Sequence, residues 1–214
     1  MKNFFLTFFL ISSFMGFTQK KVIKKIETAA KEINIYTAGL DNIILENSET
    51  NFLEVTLVAE SYDNQIIKLE NNKNFVDIKF ELEGVEIREV VFRKFITKRL
   101  QRATAIVKIP LGKTIIVFGE NVDIESKSLK NDLAIYIENG IVKLNKIKAN
   151  TILKLYSGNV YASIKKTNID VSSKDGKIKV DTILHQKKYL NKNIEFKKEL
   201  KITSLRANIF LEKF

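Results

Sequence analysis

Three glycines spaced 18 positions apart constrain this chain more than any other feature. Asn139-Gly140, Ser157-Gly158 and Asp175-Gly176 are turn dipeptides. Two residues after each glycine stand Val142, Val160 and Ile178, and four residues after stand Leu144, Ala162 and Val180. Five residues before stand Ile135, Leu153 and Val171. Glu120 takes the glycine's place in a further unit with Ile115, Val122 and Ile124, and Ala207 does so with Ile202, Ile209 and Leu211, which makes five candidate rungs. Each unit reads as a strand, a tight turn and a second strand, with alternate side chains facing inward. One unit alone cannot bury its apolar face, so the units must stack and share a core. The expected fold is therefore all-β: a β-solenoid-like stack of short strands, of the single-stranded β-helix type, with a β-rich N-terminal part. An antiparallel β-sandwich or meander is the alternative. Gly140, Gly158 and Gly176 are the expected structural turns, because glycine accepts positive φ without a Cβ clash.

Upstream of the repeat, short period-two runs broken by Asn, Asp, Ser and Gly mark strands. They include 31–36, 43–45, 53–57 and 75–80, and their spacing suits antiparallel pairing. Ala105 to Ile109 is a further strand, ended by the lone proline, Pro110. Residues 1–19 have the layout of a secretory signal peptide: Lys2, an apolar stretch from Phe4 to Phe17, then small and polar residues. That stretch is shorter than the roughly 20 residues a spanning helix needs. The expected organisation is a signal peptide over 1–19, a β-rich region over 20–110 and a repeat region over 111–214, with an insertion at 182–200, the last two forming one continuous unit.

Ile109-Pro110, then Ile115 to Ile124, then the Ser/Asn-Gly-x-Val rungs resemble the domain-of-unknown-function "putative adhesin" family, over residues 32–214. The resemblance implies an exported protein with a β-rich N-terminal part, a Gly-turn repeat and a role in surface adhesion. It brings no catalytic residues with it. This chain has fewer glycines and more Lys and Ile than that family's usual pattern.

No enzymatic activity is expected. Cysteine is absent, which removes thiolate nucleophiles, Cys-based metal sites and the acceptor residue of a lipoprotein. The one histidine, His185, stands in the Lys/Asn-rich insertion, and no G-x-S-x-G elbow, Walker loop or Rossmann fingerprint occurs. No catalytic residue, metal site or cofactor is assigned. The formal net charge of +11 favours polyanions. With export, it turns the expectation from nucleic acid toward envelope or extracellular polyanions, or surface proteins, in the periplasm or at the cell surface of a Gram-negative bacterium. After removal of the signal, no transmembrane span is expected. Two binding sets follow from the sequence. Arg93, Lys94, Lys98, Arg99 and Arg102 form a basic segment that could meet a polyanion such as polysaccharide or lipopolysaccharide. Lys143, Tyr161 and Lys179 share one outward position of the repeat and would form a cation–aromatic–cation column.

Overall fold

A computed structural model describes residues 20–59, 64–83 and 103–214. Residues 1–19, expected to be a signal peptide, and the basic segment with Arg93, Lys94, Lys98, Arg99 and Arg102 lie outside the described residues. Within them the chain is all-β, with seventeen strands in one mixed sheet.

The repeat supplies the frame. Strand β8 (Thr114–Asn121) and β9 (Asp123–Ser126) make one rung, β10 (Leu133–Leu144) the next and β11 (Thr151–Ile164) the third. They pair in parallel at the 18-residue offset, with Ile115 beside Leu133, Leu133 beside Thr151 and Val142 beside Val160. β10 and β11 each run through two ladders, changing direction near Gly140 and Gly158. Their inward positions shift there: Leu133, Ile135 and Ile137 are buried before the corner, Val142 and Leu144 after it. This one-residue change of parity keeps the apolar side chains inside as the strand turns.

All fifteen apolar residues that define the five candidate rungs are buried. They belong to a single hydrophobic cluster enclosed between the two ladders. At about 25 cal/mol per Å² of apolar surface, that shared core is the main stabilising force. The corner offers a test within one strand. Ile135→Ala, at 0% exposure, is expected to cost about 2–5 kcal/mol. Ile141→Ala, at 36% exposure, is expected to cost under about 1 kcal/mol. Urea unfolding of the two variants checks the assignment, and equal costs would contradict it.

Three features depart from the sequence expectation. First, Gly140 and Gly158 lie inside continuous strands, and only Gly176 stands between strands. What demands glycine is close approach: a Cβ on Gly158 would overlap the carbonyl oxygen of Gly140. One on Gly140 would overlap that of Val122, and one on Gly176 that of Ala207.

Second, the rungs do not stack in chain order. β12 (Thr167–Ser173) and β13 (Ile178–Val180) form the rung that follows β11 in sequence. Between them and β11 lie β16 (Lys198–Ser204) and β17 (Asn208–Lys213). Leu153 thus neighbours Ile202, and Ile202 neighbours Val171. The intervening 182–200 region folds back to make this possible. β14 (Ile183–His185) pairs antiparallel with β13, and β15 (Lys188–Asn191) with β12, on their outer edges.

Third, the N-terminal part belongs to the same stack and is not a purely antiparallel meander. β2 (Glu32–Tyr36) and β3 (Asn42–Asn47) form a rung parallel to β8 and β9, with Ile33 beside Ile115 and Ile43 beside Ile124. β6 (Phe75–Glu83) and β7 (Ala103–Ile109) form the next, parallel to β2 and β3. Antiparallel pairing is confined to the ends of the stack. There β5 (Asn64–Asn71) covers β6, β4 (Phe52–Ala59) covers β7, and β1 (Lys20–Glu27) covers β4.

Candidate binding faces

Alternation leaves one outward residue beside each buried one, so register converts outward residues into columns running along the stack. In the second ladder Lys143 stands beside Tyr161, as the repeat predicts. Lys179 is not the next member. The inserted β17 places Phe210 between Tyr161 and Lys179. The Tyr161 and Phe210 rings stack at 5.0 Å and 12°. The column is therefore lysine, two stacked rings, lysine, and a recess of about 220 Å³ lined by Lys143, Asn145, Tyr161, Phe210 and Glu212 opens beside it. Sequence spacing could not supply Phe210, because it belongs to the rung placed out of order.

The first ladder carries a second column. Tyr36, Phe118 and Tyr136 occupy the position after Ile35, Val117 and Ile135, and their rings stack at 5.4 and 5.7 Å. The ammonium of Lys79 lies 5.7 Å from the Tyr36 ring at one end, and that of Lys154 lies 5.6 Å from the Tyr136 ring at the other. Such contacts are worth about 0.5–1 kcal/mol each at exposed sites. Lys79 also bonds Glu70 at 3.0 Å, and this hydrogen bond raises its pKa. A recess of about 450 Å³ adjoins Tyr136, lined also by Glu138, Lys154, Tyr156 and Thr203. The Arg206 guanidinium sits 5.6 Å from the Tyr156 ring. The signal for this column, an aromatic one place after the buried β-branched residue, is present in the sequence at 118 and 136. Tyr36 is hidden there, because its rung does not keep the spacing of the others.

Carboxylates near the corners are engaged in the framework. Asp123 accepts from the Ile141 amide at 2.7 Å, Asp132 from Asn150 at 3.0 Å and Asp181 from Lys213 at 2.8 Å. Asp170 pairs with Lys188 at 3.5 Å. His185 packs against the Tyr189 ring at 4.5 Å. Among the described residues no three His, Asp or Glu side chains are grouped to hold a metal ion. Both faces are thus rows of flat rings bracketed by cations, suited to stacking against a flat or anionic partner.

No protein-family model matches the chain, and no curated protein does. Among solved structures it is similar to a putative cell adhesion protein from Clostridium sporogenes, with a TM-score of 0.64 and 12% identity over 92% of this chain and 100% of that one. A putative adhesin from Bacteroides fragilis aligns at 11% identity over 92% and 99% of the two chains, with a TM-score of 0.31. One from Parabacteroides merdae aligns at 10% over 91% and 96%, with a TM-score of 0.32. The first of these likenesses shows a shared fold.

Proposed function

We propose that this chain is an exported, non-enzymatic protein of the cell envelope, a β-solenoid-like adhesion module that binds through its outward ring-and-lysine columns. The observation that carries the reading is the pair of columns themselves. Stacked rings on two ladders, each bracketed by lysines, present extended surfaces where an enzyme would need a pocket of converging catalytic groups. The fold shared with a putative cell adhesion protein supports it, as does the secretory layout of residues 1–19.

Protease shaving of intact cells tests the placement. Loss of the protein while the outer membrane is sealed is the expected result, and protection until that membrane is broken would overturn surface adhesion. The columns are tested separately, by retention of protein-coated beads on immobilised glycans. Replacing Tyr161 and Phe210 with Ser removes two ring faces, each worth about 0.5–1.5 kcal/mol, so retention on a captured glycan is expected to fall about tenfold. Unchanged retention on every glycan that the parent protein captures would remove this face from the binding surface.

A further inference from the structure

A third set of residues runs along the loops that join one rung to the next. Lys130 follows β9, Lys148 follows β10, Lys166 follows β11 and Lys197 precedes β16. Lys130, Lys148 and Lys166 are spaced by 18, the offset that places Leu133 beside Thr151. Lys148 and Lys197 differ by 49, the offset that places Thr151 beside Leu200. Lys166 and Lys197 differ by 31, the offset that places Thr167 beside Lys198. The four lysines therefore hold equivalent positions on four successive rungs, in the spatial order Lys130, Lys148, Lys197, Lys166.

The loops that carry them are held in register. Asn150 accepts from the Glu199 amide at 3.1 Å and donates its own amide to Asp132 at 3.0 Å. Lys198 turns inward and donates to the carbonyls of Ile147 and Lys165 at 2.8 and 2.9 Å, tying three loops together, and burial lowers its pKa. The Lys130 amide is held by Asn47 at 3.0 Å.

All four column lysines are exposed, and none of their ammonium groups has an ion-pair or hydrogen-bond partner among the described residues. Five lysines elsewhere, Lys68, Lys79, Lys108, Lys127 and Lys188, are each paired with a carboxylate; what sets the column apart from the other unpaired lysines is its register on successive rungs. Like charges in register on neighbouring strands repel, so an unpaired column is a site that a row of anions would relieve. Lys148 joins two recesses. One, of about 610 Å³, is lined by Lys127 and Lys130 together with Glu46, Glu49 and Glu54. Two of those acids are taken, Glu46 by Lys127 and Glu54 by Lys108. The other recess, of about 490 Å³, is lined by Lys146, Lys165, Lys166, Lys197 and the rings of Phe196 and Phe214, with Glu195 its one acidic side chain.

We infer that the column Lys130–Lys148–Lys197–Lys166 binds a linear acidic polysaccharide laid along the stack axis, its charged groups meeting successive lysines and a sugar face meeting Phe196 or Phe214. Neighbouring strands lie about 4.8 Å apart, comparable to the advance of one pyranose unit along a chain. A row of lysines whose backbones keep that register suits a regular polyanion better than a single compact anion, which could reach only one or two of the four. This site is separate from the ring columns, so either can fail without the other.

The probes are a sulfated glycosaminoglycan and polygalacturonate, with dextran as the uncharged control. Lys148→Gln/Lys197→Gln is expected to weaken binding to at least one acidic chain by roughly tenfold. Lys24→Gln/Lys73→Gln, which removes the same charge from exposed lysines of β1 and of the bend between β5 and β6, outside every column, should change it less than about twofold. Binding by the parent protein should fall steeply as salt rises, because screening shortens the reach of exposed charges. Circular dichroism confirms that each variant folds. Equal losses in the two variants would reduce the effect to net charge and overturn the site. Loss only in the Lys24/Lys73 variant would place the anion outside the column and overturn it equally. Failure of the parent protein to bind either acidic chain would overturn it outright, while leaving adhesion through the rings to its own test.

Discussion

Oxidation of a Lys154→Cys/Thr203→Cys variant is expected to close a disulfide in most molecules, and the same treatment of Lys154→Cys/Ser172→Cys in very few. The chain has no cysteine of its own, so the introduced pair reports without interference. Lys154 is the direct partner of Thr203 in the parallel pairing of β11 and β16, and Thr203 is in turn the partner of Ser172. A neighbouring strand lies about 4.8 Å away, within the roughly 4.4–6.8 Å between Cα atoms that a disulfide spans. Two strands away the separation is about 9–10 Å, beyond the limit of about 7 Å. The 18-residue repeat taken alone makes the opposite forecast, since 154 and 172 are one repeat apart. Mass spectrometry under non-reducing conditions decides between them. Efficient closure of the 154/172 pair, with none at 154/203, would return the last rung to the end of the stack. All three positions alternate with buried neighbours and point away from the core, so the result does not depend on tolerance of a core substitution.

Gly158→Ala is expected to destabilise the fold strongly for the addition of one methyl group. Gly158 has φ +122°, a conformation that costs a side-chain-bearing residue on the order of 1–3 kcal/mol. The new Cβ would also overlap the carbonyl oxygen of Gly140, and backbone atoms cannot rotate away as a side chain can. Gly112→Ala separates the two contributions. Gly112 also has positive φ, +76°, but nothing lies within 4 Å of its would-be Cβ. Its replacement should therefore show strain alone, about 1 kcal/mol. With total stabilities of about 5–15 kcal/mol for folded domains, a loss beyond about 3 kcal/mol at Gly158 would be visible as a large drop in melting temperature. Equal shifts for the two variants would show that the corner is not closely packed.

These two tests also mark where the sequence is informative. The fifteen apolar positions read from the repeat are all buried, because burial depends on local alternation and each rung carries its own. Strand identity in β2, β4 and β6 is legible for the same reason. Partnership is not. A period states that units are interchangeable in register, and interchangeable units can be stacked in more than one order. The β16–β17 rung matches the repeat in its apolar positions, yet nothing in Ile202, Ile209 and Leu211 says which neighbours they will have. The β2–β3 rung escapes detection for a simpler reason. Ile33 and Ile43 are ten residues apart, whereas Ile115 and Ile124 are nine apart, so one extra residue at the corner breaks the apparent spacing. The glycines stand out as turn formers, but the carbonyl that crowds each of them leaves no mark in the sequence. The Lys143–Tyr161 half of the expected column stands on strict 18-residue spacing and is found in the structure. The Tyr161–Lys179 half crosses the displaced rung, and Phe210 occupies the gap.

The displaced rungs bear on how the chain reaches its final state. β12 and β13 leave the synthesis or export machinery before β16 and β17, and they carry the register needed to dock on β11 directly. A chain that folded in order of appearance would close that seam and leave residues 198–213 without a seat. At the other end, β2 and β3 must wait for partners on both sides that lie at 75–83, 103–109 and 114–126. Native assembly is thus non-local toward each end of the chain, and closing such loops is slow. A polypeptide that crosses a membrane unfolded and is released whole meets that requirement, whereas one that condenses segment by segment would have to reopen its own early product.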